Sequence, residues 1–262
     1  MKTCALFAFL ILFFISQSCF GQTPKSVEAD LLMSFRKIDY WFEKKGDTTI
    51  GAYDSISKAN DVFAKKLKYY TGKYPFTIVQ TFWLLKKESL DVISSSDGLF
   101  RIYSWDELTG GTMHFYENVT QYKTGSKVYS VLNVDTSGGQ GGYIYNYSHV
   151  YTLKTDGKTY YLAIYNGIFS SRIMGKGVQV FSIIDGKLND KVKLIKTASG
   201  LHSKLYYDYD LGPIVNEVTD DDAHYNDALK TITIPVIDDN GAVTKKRITY
   251  KFTGQYFERI KK

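Results

Sequence analysis

Apolar residues recur at helical spacing only near the start of the chain. Val27, Leu31, Phe35, Ile38 and Phe42 follow at intervals of 4, 4, 3 and 4, which puts them on one face of a helix over about residues 26–45. Gly46-Asp47 ends that pattern. A second helix, about residues 54–71, is expected to take Asp54 as its N-cap and to turn Ile56, Ala59, Phe63, Leu67 and Tyr70 inward. Gly72 suits the C′ position and Pro75 closes the exit. Two amphipathic helices with a short link predict a helical hairpin over residues 22–75, packed on something larger. The stretch Phe76 to Leu85 is strongly apolar, and its periodicity selects neither helix nor strand.

From Leu90 onward the period falls to two, interrupted by Asp97-Gly98, Asp156-Gly157, Asp185-Gly186 and Asn240-Gly241. Each pair lies between apolar runs, the pattern of a β-hairpin. A two-residue turn at Asp156-Gly157 sets Leu153 opposite Tyr160, Tyr151 opposite Leu162 and His149 opposite Ile164. At Asp97-Gly98 it sets Val92 opposite Tyr103 and Leu90 opposite Trp105. The other two turns fit better with odd loops. One pairs Val180 with Val192 and Val178 with Leu194. The other pairs Ile234 with Ile248 and Ile232 with Tyr250. The strands group as 90–134, 143–196 and 203–260. The expected fold class is mainly β: an antiparallel meander of hairpins over residues 76–262, as a sandwich or an open propeller-like array, with an N-terminal α-helical hairpin. Three groups are fewer than the four blades of the smallest usual propeller.

The first 21 residues stand apart. Lys2, the apolar run Ala5 to Ile15, and Ser16-Gln17-Ser18-Cys19-Phe20-Gly21 form the three regions of a secretory signal peptide, with cleavage expected after Gly21. The run is shorter than the roughly 20 residues a spanning helix needs. An uncleaved anchor is one alternative. Lipid modification of Cys19 is another, although Ser16 occupies the place where a lipoprotein signal carries an aliphatic residue. Cys4 and Cys19 both fall in this segment, so a mature chain has no disulfide, thiolate nucleophile or cysteine-ligated zinc. An exported protein without disulfides suggests a bacterial envelope.

Composition adds one unusual feature. Of 262 residues, 22 are Tyr, 16 Phe and 3 Trp, which suits packed strands. The net charge of +6 is too small to argue for nucleic acid as a partner.

Motif-like fragments are scattered through the chain. Ser34-Phe-Arg-Lys37, Ser55-Ile-Ser-Lys58, Ser96-Asp97-Gly98 and Lys123-Thr124-Gly125 resemble the serine β-lactamase and penicillin-binding set. Their contexts, a helix interior and a hairpin turn, oppose that chemistry. Gly138-Gly139-Gln140 sits in a glycine-rich stretch and reads as a loop. Asn118-Val-Thr120 and Asn146-Tyr-Ser148 fit the glycosylation sequon by chance spacing. His114, His149, His202 and His224 are isolated.

The denser candidates are aromatic. Tyr143, Tyr145, Tyr147 and Tyr151 are expected on one strand face, and Tyr103 and Trp105 share another beside Arg101. Rows of this kind either fill a core or make a ledge for sugar rings or a protein. The ligand-binding candidates are therefore Arg101, Tyr103, Trp105, Asp106, Tyr145 and Tyr147. Seven acids from Asp208 to Asp227, including Asp220, Asp221 and Asp222, follow seven bases from Arg172 to Lys204. They read as solvated faces of opposite sign; a calcium loop would need the glycine and closing glutamate that are absent.

The chain is thus expected to be an exported, non-catalytic binding or interaction protein of the envelope, periplasmic, on the cell surface or secreted. Its ligand would be an envelope glycan or protein, with no cofactor, no metal and no transmembrane segment after cleavage. The competing expectation is an envelope hydrolase with an Asp- or His-based site.

Overall fold

The computed structural model describes residues 22–47, 51–132, 145–212 and 220–260. The expected signal segment, the glycine-rich stretch 137–142 and Tyr143 lie outside the described residues. Among the described residues no helix is long and apolar enough to cross a membrane.

Helix α1 (Pro24–Glu43) begins at a reciprocal cap: Ser26 N donates to Thr23 Oγ1 at 3.1 Å and Thr23 N to Ser26 Oγ at 2.9 Å. Helix α2 (Ala52–Lys73) is antiparallel to it in a hairpin. Its N-cap is Gly51, at φ 59°, and not the expected Asp54, which lies in the first turn near the helix's positive end. The apolar faces expected from spacing are the buried ones: Val27, Leu31, Phe35 and Ile38 meet Ile56, Ala59, Phe63 and Leu67. The undecided stretch resolves into a 3-10 turn (Pro75–Ile78) and a short helix α3 (Trp83–Lys87).

Among the described residues three sheets follow, and they are not closed into a barrel. The first runs in order β1 (Asp91–Ser94), β2 (Phe100–Asp106), β3 (Tyr116–Thr124) and β4 (Lys127–Leu132). The second holds β5 (Asn146–Thr155), β6 (Lys158–Ile168), β7 (Ile173–Ile184) and, along the outer edge of β7, β8 (Lys187–Asn189) and β11 (Lys204–Asp210). The third is ordered β10-β9-β15-β14-β13-β12, formed by β9 (Ile195–Thr197), β10 (Gly200–His202), β12 (His224–Asn226), β13 (Thr231–Ile237), β14 (Val243–Phe252) and β15 (Phe257–Arg259).

Side-chain alternation turns these sheets into a layered stack. Along β2, Tyr103 and Trp105 face the helices, while Phe100 and Ile102 face the second sheet. Along β6, Tyr161, Ala163 and Tyr165 face the first sheet, while Leu162 and Ile164 face the third. Two of the three sheets are therefore buried on both faces. Tight approach within the stack needs glycine at position 177: a Cβ there would lie 2.1 Å from the Leu205 carbonyl oxygen and 2.4 Å from the Tyr165 hydroxyl.

The hairpin registers at Asp156-Gly157, Asp97-Gly98 and Asn240-Gly241 are as expected, Ile234 facing Ile248 across a bulge at Pro235–Ile237. The third expectation is corrected. Asp185 (φ 49°) and Gly186 (φ 74°) form a two-residue turn that pairs Ile184 with Lys187. β8 then leaves the edge after three residues, and β11 takes its place beside β7, pairing Leu205 with Val178. This exchange also corrects the grouping, since β9 and β10 join the third sheet and β11 returns to the second. The tyrosine row is corrected too. A register shift between Tyr147 and His149 moves Tyr145 and Tyr147 to the first-sheet side and Tyr151 to the third-sheet side.

Candidate functional site

Most of the sequence candidates lie inside the stack. Trp105 is buried; its Nε1–H donates to Asn60 Oδ1 at 2.9 Å and its ring meets Phe63 edge-on at 4.9 Å. Tyr103 is buried against Phe82 and the 3-10 turn, its hydroxyl 2.8 Å from Gln121 Oε1 and 3.1 Å from the Thr77 carbonyl oxygen. Tyr147 donates to Gln179 Oε1 at 2.6 Å from the second interlayer core. None of these rings offers a face to a ligand, so the ledge expected at Tyr103, Trp105 and Tyr147 is replaced by core. Arg101 is buried as well. Its Nη1 donates to the carbonyls of Thr77 (2.9 Å) and Gln80 (2.6 Å), and its Nε to Ser94 Oγ (2.7 Å), so it clamps the segment after α2. Asn118 of the first sequon is buried, accepting from Ser104 Oγ at 2.5 Å. Asp106 and Tyr145 are the two candidates that stay half-buried.

Asp106 borders a cleft of about 250 Å³ between α1, α3 and the end of β2, with Asp39, Lys87, Glu88, Ser89 and Leu108. Its Oδ2 lies 2.5 Å from His114 Nδ1. Burial, then the charges of Glu88 and Glu43, holds the Asp39 carboxyl above the usual carboxylate range. Glu107 is also raised, by burial. Ser89 (φ 68°) and Leu108 (φ 57°) hold left-handed backbone at the rim, where a side chain costs conformational energy.

The acidic run after residue 219 is tied into ion pairs. Lys176 Nζ reaches Asp221 at 2.9 Å and Asp222 at 2.6 Å, and Tyr209 donates to Asp221. Arg247 donates to the carbonyls of Asp220 and Asp222 at 2.8 and 2.5 Å, and His224 Nε2 lies 2.8 Å from Asp220 Oδ2. Burial opposes ionisation of Asp220, but His224, the Asp222 N–H and Arg247 outweigh it and lower its pKa. Among the described residues no three His, Asp or Glu side chains converge as metal ligands.

The larger concavity was not anticipated. The turns of the first two sheets gather at one end of the stack: a Cβ on Gly186 would lie 3.7 Å from the Thr124 side chain, and Tyr161 donates to Asp97 at 3.1 Å. Between them lies a groove of about 640 Å³, within the range of small-molecule sites. Lys123, Thr124, Lys158, Thr159, Tyr160, Ser182 and Asp185 line it, together with Leu99, Ile183, Ile184 and Val192. Ser182 is 2% exposed, and its hydroxyl is buried without a hydrogen-bond partner. Lys123-Thr124-Gly125 thus belongs to the groove wall, while both S-x-x-K serines lie on the helices. Sequence reasoning missed Tyr160 and Ser182 because nothing local marks them; only the meeting of four turns brings them together. Comparison with family models, with curated proteins and with solved structures finds no match to this chain.

Proposed function

We propose that the protein is an exported, non-catalytic binding protein of the bacterial cell envelope, with a carbohydrate ligand held in the groove at the turn end of the first two sheets. The observation that carries this reading is the unpartnered Ser182 hydroxyl in a groove that also offers Tyr160, two lysines and two threonines. A buried hydroxyl without a partner costs stability, and rotation of the Ser182 side chain toward the groove would let a ligand hydroxyl supply the missing bond. The mixture of ring, methyl and hydroxyl groups suits a sugar, and Lys123 and Lys158 favour an acidic one. Export rests on the tripartite segment 1–21, and N-terminal sequencing of protein recovered from cell fractions tests it: Gln22 is expected first.

Ser182→Ala gives a test with opposite signs. It removes an unsatisfied group, so stability in urea is expected to hold or rise. Calorimetric titration with a panel of neutral and acidic envelope oligosaccharides is expected to show about a 3- to 10-fold weaker Kd for the variant, the loss of about one hydrogen bond. Lys158→Ala is expected to weaken acidic glycans more than neutral ones. Saturable binding by none of the panel, or binding indifferent to both substitutions, refutes the groove; capture of a peptide ligand instead would move the reading to a protein partner.

A hydrolase with an Asp- and His-based site is the second reading, favoured by the cleft that Asp39, its carboxyl raised by burial, lines together with Asp106, the partner of His114. Such a set could supply a general acid and a base. Turnover of chromogenic ester or glycoside substrates that falls at least about 100-fold in Asp39→Asn or His114→Ala would establish it; absence of turnover leaves binding as the function.

A further inference from the structure

The segment between α2 and β1 carries a surface that the groove does not use. Val79 is 69% exposed, Trp83 57% and Leu84 41%, three large apolar side chains within six residues of chain. Lys86 and Lys87 follow, and from Tyr74 to Lys87 there is no acidic residue. Lys87 Nζ stands 3.5 Å over the centre of the Trp83 ring, a cation–π pair held at the surface.

The display is built, and several buried groups enforce it. Phe82 sits at φ 48°, a left-handed conformation unfavourable for an aromatic residue. Its ring is fully buried, edge-on to Tyr103 at 5.7 Å. With Phe82 inward and Leu85 buried behind it, Trp83 and Leu84 must point out. Arg101 and Tyr103 hold the preceding carbonyls, and Glu28 Oε1 accepts from Leu84 N at 2.7 Å. Strained backbone and a buried clamp thus keep apolar surface in water, the reverse of what stability alone favours.

We infer that this Trp83 platform is a docking surface for a lipid bilayer carrying anionic headgroups. Tryptophan and lysine together suit the membrane–water boundary, the ring and aliphatic stems lying in the apolar zone and the ammonium groups among phosphates. Position agrees. Glu28, which holds Leu84, lies in the first turns of α1, and only Ser16 to Gly21 separate Gln22 from the apolar run Ala5 to Ile15. A chain that keeps that run, or a lipid on Cys19, would emerge beside the platform. In a chain cleaved after Gly21, the platform is the membrane contact that remains.

The test uses the chain from Gln22, which contains every described core residue and lacks the apolar run. It is floated with vesicles of phosphatidylcholine, with and without phosphatidylglycerol, and the effect of brominated lipids on tryptophan fluorescence is recorded. Binding is expected only with phosphatidylglycerol, with quenching that disappears in Trp83→Phe. Lys86→Glu and Lys87→Glu are each expected to weaken it at least about fivefold, the effect of one lysine near a charged surface. The double variant Trp83→Glu, Leu84→Glu should not float, with an unchanged circular dichroism spectrum because both side chains are exposed. Flotation indifferent to that double variant overturns the proposal, as does failure to float with either vesicle. A dimer in solution that the double variant dissociates would assign the platform to a second copy and also overturn it.

Discussion

Trp105→Ala is expected to lower the unfolding free energy by about 3–5 kcal/mol, the range for truncating a buried aromatic. Trp105 is enclosed where α2 lies on the first sheet, and its removal takes away three things together. The cavity left where α2 covers the first sheet cannot collapse, because Phe63 is already held by Phe35 at 4.6 Å. Phe63 loses its edge-on partner. Asn60 Oδ1 loses its donor while Asn60 Nδ2 stays bound to the Glu107 carbonyl at 2.8 Å. Trp105→Phe refills most of the volume and isolates the last effect, at about 1–3 kcal/mol. Urea unfolding followed by circular dichroism measures both. If the ring belonged to a ligand ledge, alanine would cost little stability and abolish glycan binding; the expected result is the reverse, with binding per folded molecule unchanged.

Trp105 also shows how far the chain could be read without coordinates. Its face was legible, since period-two alternation and turn chemistry are local, and three of the four hairpin registers follow from them. Its partner was not, because alternation says which residues share a face and nothing of what covers that face. Arg101 beside Tyr103 and Trp105 is what suggested a ledge for a ligand on this strand, and Ser104 lies on the strand's other face. In the structure both sides of β2 are dry, and these polar groups are bound to backbone or side-chain partners across the layers. The exchange of β8 for β11 along β7 was hidden for a related reason. The Asp185-Gly186 turn is local and correctly placed, but how long the hairpin persists depends on a competitor that arrives some twenty residues later. Trp83 was passed over because Phe76 to Leu85 is strongly apolar without a clear period, so no periodicity could reveal that Phe82 turns inward and its neighbours outward. Of the groove's lining, only Lys123-Thr124-Gly125 had been singled out for chemistry, as part of a different motif set, while its turns had been noted only as turns.

The unusual tyrosine content carries the largest expected response to pH. Raising the pH beyond about 10 is expected to unfold the chain cooperatively, with tyrosine ionisation and loss of structure in one transition. Burial pushes Tyr103 up from 10.0 to about 12, against the pull of Arg101. Burial raises Tyr147 and Tyr165 further, reinforced at Tyr147 by Asp190 and Tyr145, and at Tyr165 by Tyr145 and Tyr147. A group whose pKa is higher folded than unfolded keeps its proton longest in the native state. Its contribution is intact below pH 10 and is lost as pH rises through the folded value. For Tyr103 alone the two-unit gap amounts to at most about 3 kcal/mol. Three such rings together approach the roughly 5–15 kcal/mol that holds an ordinary domain folded, so the chain gives way before they titrate. Lys204 acts in the opposite sense. Burial lowers its pKa to about 8, so between 8 and the unfolded value of 10.5 the unfolded chain holds more protons and stability rises with pH. The expected profile is therefore a small gain from pH 8 to 10 and a steep loss beyond. Tyrosinate absorbance and circular dichroism, followed in the same alkaline titration, measure it. Coincident midpoints displaced above pH 10 are expected; tyrosines that all ionise reversibly near 10 while the strand signal persists would show that these rings are not interior.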